Sequence, residues 1–289
     1  MARPATRWLL ALGLVGCLSA RAASPVWAIR GAHNTVYLAG SIHLLRAADA
    51  TLPPGFARAY SGAARLVMEV DLARLDAAEM AHSMAEHARL PEGTTLEQRI
   101  GAARYRRVSA AAAALGLPEG TLDRAAPWLV GLQLTELEYV HLGFDPSQGV
   151  EQQLVQRARA DHKPTGGLES FSDELGVFAD LSGAEQLRFL DMVIADLGAA
   201  DNDTQAVLAA WRRGDTRQLG ALLAHEYRSF PTLYRALVTG RNQRWLPQIE
   251  ALLRQDEDCL VVVGALHLVG KGGLLEALRH DGFEPQQLN

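Results

Sequence analysis

The sequence predicts an α/β fold: a mixed central β-sheet formed from both chain ends, with a large helical insertion between them. Three observations carry this. Runs of β-forming residues sit near the start (VWAIR, 26–30; TVYLA, 35–39; RLVMEVD, 65–71) and near the end (CLVVV, 259–263). Between about 73 and 255, apolar residues recur at helical spacing. A short turn-flanked segment, KPTGGLE at 163–169, interrupts the helices and reads as a strand returning to the sheet.

The first 22 residues read as a signal peptide and are set aside from the fold, leaving residues 23–289 as one expected domain with its helical insertion at about 73–255. Arg3 and Arg7 precede an apolar run from Trp8 to Leu18, too short to span a bilayer as a mature helix. Two processing routes are legible. Ala20-Arg21-Ala22 is an A-x-A cleavage site, and Leu14-Val15-Gly16-Cys17 resembles a bacterial lipobox that would make Cys17 a lipidated terminus. Either route exports the body of the protein to the periplasm or beyond, with a lipid anchor in the envelope only in the second.

The two runs around Gly31 to Asn34 form a hairpin, and Pro53-Pro54 introduces a helix at about 54–63. The strand 65–71 follows. DAAEMAHSMAEHARL, TLEQRIGAARYRRVSAAAAALG and PWLVGLQLTELEYVHLG are helical in pattern, with Gly116 and Gly143 at the stops. GVEQQLVQRARADH, 149–162, is another amphipathic helix. Further on, Gly214 ends a helix and Asp215 caps the next. After the strand at 259–263, KGGLLEALRHDG supplies a closing helix and FEPQQL a last strand.

Composition narrows the function. A formal net charge of −5 and a pI near 6.0 argue against a nucleic-acid partner or an anionic membrane surface. The basic run RYRRV, 104–108, reads as solvated helix surface. Of the two cysteines, Cys17 lies in the leader and Cys259 opens an apolar strand, where it reads as a small buried hydrophobe. Neither a P-loop nor a nucleophile elbow is present: five residues separate Gly264 from Gly270 where a P-loop needs four, and no G-x-S-x-G occurs. His82, Glu86 and His87 do not form H-E-x-x-H, and His82 with Glu86 reads as a surface pair.

One pattern does carry chemistry. Gly40-x-x-His43 and Gly264-x-x-His267 each follow an apolar strand directly. With 26 glycines and 9 histidines, chance yields on the order of one G-x-x-H, so a single match means little but a strand-terminal pair means more. Two neutral imidazoles converging beyond strand ends make good ligands for a divalent first-row metal, whereas two satisfied histidines in separate turns are the bland alternative. Glu69 sits among apolar residues, where a buried carboxylate needs a cation, a metal or several donors. Asp71 shares its strand parity. Glu169 closes the 163–169 segment and either enters the same cleft or serves as a helix N-terminal charge.

With these motifs the chain resembles the TraB/GumN family, relatives of the Tiki metalloproteases. The resemblance rests on NTVYLAGSIHLL (34–45), LVMEVD (66–71), LPEGTTL (90–96), GVEQQL (149–154), GLES (167–170), RNQRWLPQIEALL (241–253) and VVVGALHLVGKGGLLEAL (261–278). Many relatives carry Thr after the first glycine, where this chain has Ser41. The resemblance implies a mixed α/β core and metal-dependent hydrolysis, with manganese or cobalt favoured and zinc as an alternative. It assigns His43, His267 and Glu69 to the metal or catalytic set, with Glu169, Arg241 and Asn242 in support. The expected function is an exported peptidase-like metallohydrolase. Glu69 would be ligand or general base, and Arg241 would stabilise a developing oxyanion. The alternatives are a haem- or porphyrin-binding envelope protein, using the same imidazoles as axial ligands, and a non-catalytic binding scaffold.

Overall fold

The computed structural model describes residues 23–198 and 200–289. The leader, with both processing routes and Cys17, lies outside the described residues. Six strands, β1 (Val26–Arg30), β2 (Thr35–Ser41), β3 (Arg65–Met68), β4 (Thr165–Gly167), β5 (Cys259–Gly264) and β6 (Gln286–Gln287), form one sheet in the order β4-β3-β5-β2-β1-β6. β1 pairs antiparallel with β2 and with β6. β2–β5, β5–β3 and β3–β4 are parallel, so the sheet is mixed, as the sequence predicted.

β5 lies between β2 and β3 and is buried throughout. A parallel strand covered on both faces needs apolar residues at every position, and CLVVVG supplies them without alternation. Cys259, buried at its start, is free. Two strand expectations are corrected. β3 stops at Met68, so Asp71 lies in a turn beyond it and strand parity does not relate it to Glu69. The Asp71 carboxylate instead accepts from Ala73 N at 3.2 Å and Thr165 Oγ1 at 3.0 Å. His267 lies in a short helix, Ala265–Leu268, rather than a turn.

The register decides the rest. Ser41 pairs with Gly264, so β2 and β5 end side by side. Met68 pairs with Val262 on one side and with Gly167 on the other. Four adjacent parallel strands therefore finish at one edge, where ligand sites of such sheets lie. The residues just past their ends are, in spatial order, Glu169, Glu69, His267 and His43.

The helices do two jobs. Some cover the sheet, including Pro54–Gly62, Val150–Ala160 and Gly240–Leu253. Others build a second apolar cluster around Leu96, Trp128, Leu134 and Leu190. Gly116 and Gly143 follow helix ends with φ of 83° and 86°, which a glycine adopts without strain, and Asp215 caps the next helix by accepting from Gln218 N at 2.9 Å. His82 and Glu86 form an exposed i,i+4 pair at 3.9 Å. Among the described residues no helix is long and apolar enough to cross a membrane.

Trp211 ties a covering helix to the first histidine segment: its indole N–H donates to the Gly40 carbonyl at 2.7 Å, and its side chain is buried. Trp211→Phe leaves that buried carbonyl without its donor. We expect a loss of about 1–3 kcal/mol, read as a lower urea midpoint with an unchanged m-value.

Candidate functional site

Gly264 ends β5 at the centre of the strand-end edge. A Cβ added there would lie 3.3 Å from His43 Nε2, 3.4 Å from Glu69 Oε1 and 3.6 Å from His267 Cδ2. Two imidazoles and a carboxylate thus converge on one point, and only the lack of a side chain keeps it clear. Gly264 also donates its N–H to Glu69 Oε1 at 2.6 Å. The glycine both opens the space and aims the carboxylate at it.

Each histidine has its outer nitrogen occupied. Asn242 spends both hydrogens of its Nδ2 on carbonyls, that of His267 at 3.0 Å and that of Gly272 at 2.9 Å. Its Oδ1 is therefore the acceptor for His267 Nδ1 at 2.8 Å, and Nδ1 carries the hydrogen. His267 Nε2 therefore faces inward as an acceptor, taking Arg241 Nη1 at 3.4 Å and lying 3.9 Å from Glu69 Oε1. Burial pushes the His267 pKa down to about 4, so this ring is neutral. His43 Nδ1 meets Glu151 Oε1 at 2.8 Å, which turns its Nε2 toward the same point. The Glu151 carboxylate raises the His43 pKa, although a side chain 61% exposed lets water temper the shift.

A guanidinium sits beside this point. Arg241 gives Nη2 to Glu69 Oε2 at 2.5 Å and Nε to Glu169 Oε1 at 2.9 Å, and Nη2 lies 3.7 Å from Glu174 Oε1. Trp245 backs the arrangement, with its indole N–H on Glu169 Oε2 at 3.1 Å, its ring 4.6 Å from that of His267, and the Arg241 guanidinium 4.5 Å from its centroid. Arg241, Asn242 and Trp245 lie on one buried stripe of the helix Gly240–Leu253. A π-helical stretch, Arg235–Thr239, precedes it; such stretches often mark functional sites.

Three carboxylates, Glu69, Glu169 and Glu174, each bring an oxygen within 4.8 Å of the others, a grouping able to hold a cation. Arg241 already serves all three. With Glu151 the site has four carboxylates against Arg241 and the rim residue Arg244, which lies 3.7 Å from Glu169 Oε2. His43, whose protonated form Glu151 favours, adds positive charge, and Glu174 gives up part of its own negative charge: burial, opposed by Arg241, lifts its pKa to about 7.

The family model for TraB/PrgY/gumN matches residues 25–287. The chain belongs to this family. It is 25% identical over 243 residues to "Uncharacterized protein YbaP" of Escherichia coli (strain K12), an alignment covering 84% of this chain and 87% of that protein. The protein of the same name from Shigella flexneri matches to the same extent. No solved structure matches the chain.

In this TraB/PrgY/gumN chain the structure brings His43, Glu69, Glu169, Arg241, Asn242 and His267 together, and leaves the second-line candidate Asp71 outside, bonded to Ala73 N and Thr165 Oγ1. Sequence reasoning missed Glu151, Glu174 and Trp245 as members. A signal existed for Glu151. It lies on the buried stripe Val150, Glu151, Leu154, Val155 and Ala158, where a charge is out of place. Glu174 gave none, because first-turn glutamates are ordinary helix charges.

Burial alone would raise the Glu69 pKa, but His267, Arg241 and His43 together with the Gly264 N–H hold it at about 2, below the ordinary 4.5. Of these, Arg241 is the permanent charge. A depressed carboxylate stabilises the fold fully above its ordinary pKa, and that stabilisation fades as pH falls from 4.5 toward 2. Melting temperatures measured from pH 6 to pH 2.5 should drop through this window by the equivalent of about 3 kcal/mol, and Glu69→Gln should remove that part of the slope.

Proposed function

We propose that the chain is an exported metal-dependent hydrolase, peptidase-like in its chemistry, that binds one divalent first-row cation through His43, His267 and Glu69. The convergence beside Gly264 carries the reading: two imidazoles with their Nδ1 atoms already engaged, and a carboxylate oxygen, border the space that a side chain there would fill. The carboxylates of Glu69, Glu169 and Glu174, each with an oxygen within 4.8 Å of the others, support it as a grouping able to hold a cation. Intermediate ligands such as imidazole and carboxylate suit manganese, cobalt or zinc. Family membership is consistent with this chemistry and does not specify it.

When bound, such a cation supplies Lewis acidity, making water a stronger nucleophile and polarising a scissile carbonyl. The chain's own groups do the rest. Arg241, fixed by Glu69 and Glu169, has Nη1 on His267 Nε2, and once that nitrogen takes a cation Nη1 would be released to stabilise negative charge on a carbonyl oxygen. Glu174 is the most accessible of the four carboxylates, with a side chain 36% exposed, and its partial burial lifts its pKa above the ordinary carboxylate range, which suits it to take and return a proton. Trp245, buried against the His267 ring, excludes water from the inner side. A porphyrin fits this point less well. It needs a flat apolar slot, and the space over Gly264 is ringed by a carboxylate and imidazole atoms within 3.6 Å. The substrate would be a peptide or protein met outside the cytoplasm.

Metal analysis of the untagged mature protein tests the proposal. Wild type should hold close to one equivalent of divalent metal and cleave peptides, and His43→Ala and His267→Ala should each lose both. Unchanged metal content in both variants would overturn it. Gly264→Ala tests the same point from the other side. A methyl at 3.3–3.6 Å from its neighbours should leave the fold intact, by circular dichroism, yet abolish metal uptake.

A further inference from the structure

We infer that Glu151, held by Ser41, is the positioning residue of His43: it fixes the ring's orientation and hydrogen placement so that Nε2 faces the cation site. This rests on the metal-site reading above and assigns a role to the residue that engages His43 Nδ1 there.

The geometry is specific. Glu151 stands in the first turn of the helix Val150–Ala160, on the face turned toward the sheet, and its side chain is 10% exposed. One oxygen, Oε1, receives both His43 Nδ1 and the Ser41 hydroxyl. Ser41 is the last residue of β2 and His43 lies two residues on. The carboxylate therefore clamps the strand end and the imidazole to a single atom of another element. The hydroxyl points at the carboxylate and not at the imidazole, so Ser41 is an anchor here and not a nucleophile awaiting a base.

The backbone is built to allow this approach. Val150 donates its N–H to the Ile42 carbonyl at 3.0 Å, pinning the helix start against the histidine segment. Gly149 lies so close that a Cβ on it would fall 2.0 Å from the His43 carbonyl oxygen. Only glycine permits the helix to come near enough for Glu151 to reach His43. A helix N-terminal glutamate that served the dipole alone would point to solvent. This one is buried, and its partners are a histidine and the serine that ends the preceding strand.

The arrangement mirrors the other side of the site. Asn242 takes the Nδ1–H of His267 just as Glu151 takes that of His43, so both rings offer Nε2 inward. The outer partners differ in charge. A neutral amide orients His267, which is buried, while a carboxylate serves His43, which is exposed. A free imidazole prefers its hydrogen on Nε2. Without Glu151, His43 would revert to the form whose inward nitrogen has no lone pair to give. Outer partners of ligating histidines typically contribute 10–100-fold in metal affinity.

The test uses the mature protein with Glu151→Gln and Glu151→Ala, the glutamine variant keeping an acceptor oxygen and near-native volume. Titration with Mn²⁺ and with Zn²⁺ should show affinity falling about 10–100-fold in Glu151→Ala and less in Glu151→Gln, with circular dichroism unchanged. Nitrogen-15 spectra of the metal-free protein, at a pH where His43 is neutral, supply a readout that needs no metal. Wild type should show the hydrogen on Nδ1, and Glu151→Ala should move it to Nε2. Affinities within about twofold of wild type, with His43→Ala abolishing binding, would overturn the inference and leave the metal site standing. If wild type takes up no metal, the metal-site reading fails, and the tautomer alone decides: an Nδ1–H signal surviving in Glu151→Ala overturns the positioning role, and its loss supports it.

Discussion

Everything at the strand-end edge depends on one pairing, Ser41 opposite Gly264 in the parallel register of β2 and β5. The two segments are more than two hundred residues apart in the chain, and only this ladder makes them neighbours. A slip of one residue would turn every side chain of β5 to the opposite face. That slip is resisted on both sides, because Val262 also pairs with Met68, so β5 is locked between two partners. His43, His267 and Glu69 inherit their proximity from a register that backbone hydrogen bonds and a wholly apolar strand maintain.

The second constraint is electrostatic. Glu69 is buried and charged, a state that costs several kcal/mol unless the surroundings compensate. Arg241 compensates on one oxygen and the Gly264 N–H on the other. Arg241 is itself held by Glu169, and Glu169 by the Trp245 indole. Each charge is satisfied by a group from a different element, so no member can move without exposing another. The same chain of contacts sets the protonation states. His267, with Arg241 beside it and little solvent, is neutral; His43, facing Glu151, attracts protons. His267 therefore enters any cation-binding equilibrium already neutral, whereas Glu151 favours the protonated form of His43.

How much of this could be read from the sequence varied with how local the signal was. β5 was plain, because a fully buried parallel strand is an unbroken apolar run. Gly116, Gly143 and Asp215 announced helix ends through local backbone chemistry. The paired G-x-x-H turns and Glu69 stood out because a polar residue at a strand end amid apolar neighbours has few structural excuses. The end of β3 did not show: LVMEVD continues to look like a strand, and only the departure toward Asp71 and its bond to Thr165 ends it. Glu174 was invisible for a different reason. Its part in the site comes from the packing of the helix Phe171–Ala179 against the rest, a long-range relation that spacing does not encode.

That helix also places the site in the fold. Leu175 belongs to the second apolar cluster, whereas Glu69, Glu169, Arg241 and both histidines are fixed by the sheet and its covering helices. Glu174 is thus an acidic group brought to the edge from the other core, and it is the most open of the four to solvent. The inner carboxylates are overdetermined by their hydrogen bonds; Glu174 has Arg241 at 3.7 Å and no hydrogen bond to match theirs. A group so placed meets solvent, while the carboxylates behind it are held by their hydrogen bonds. The division between a locked floor and one looser carboxylate follows from building this edge across two cores.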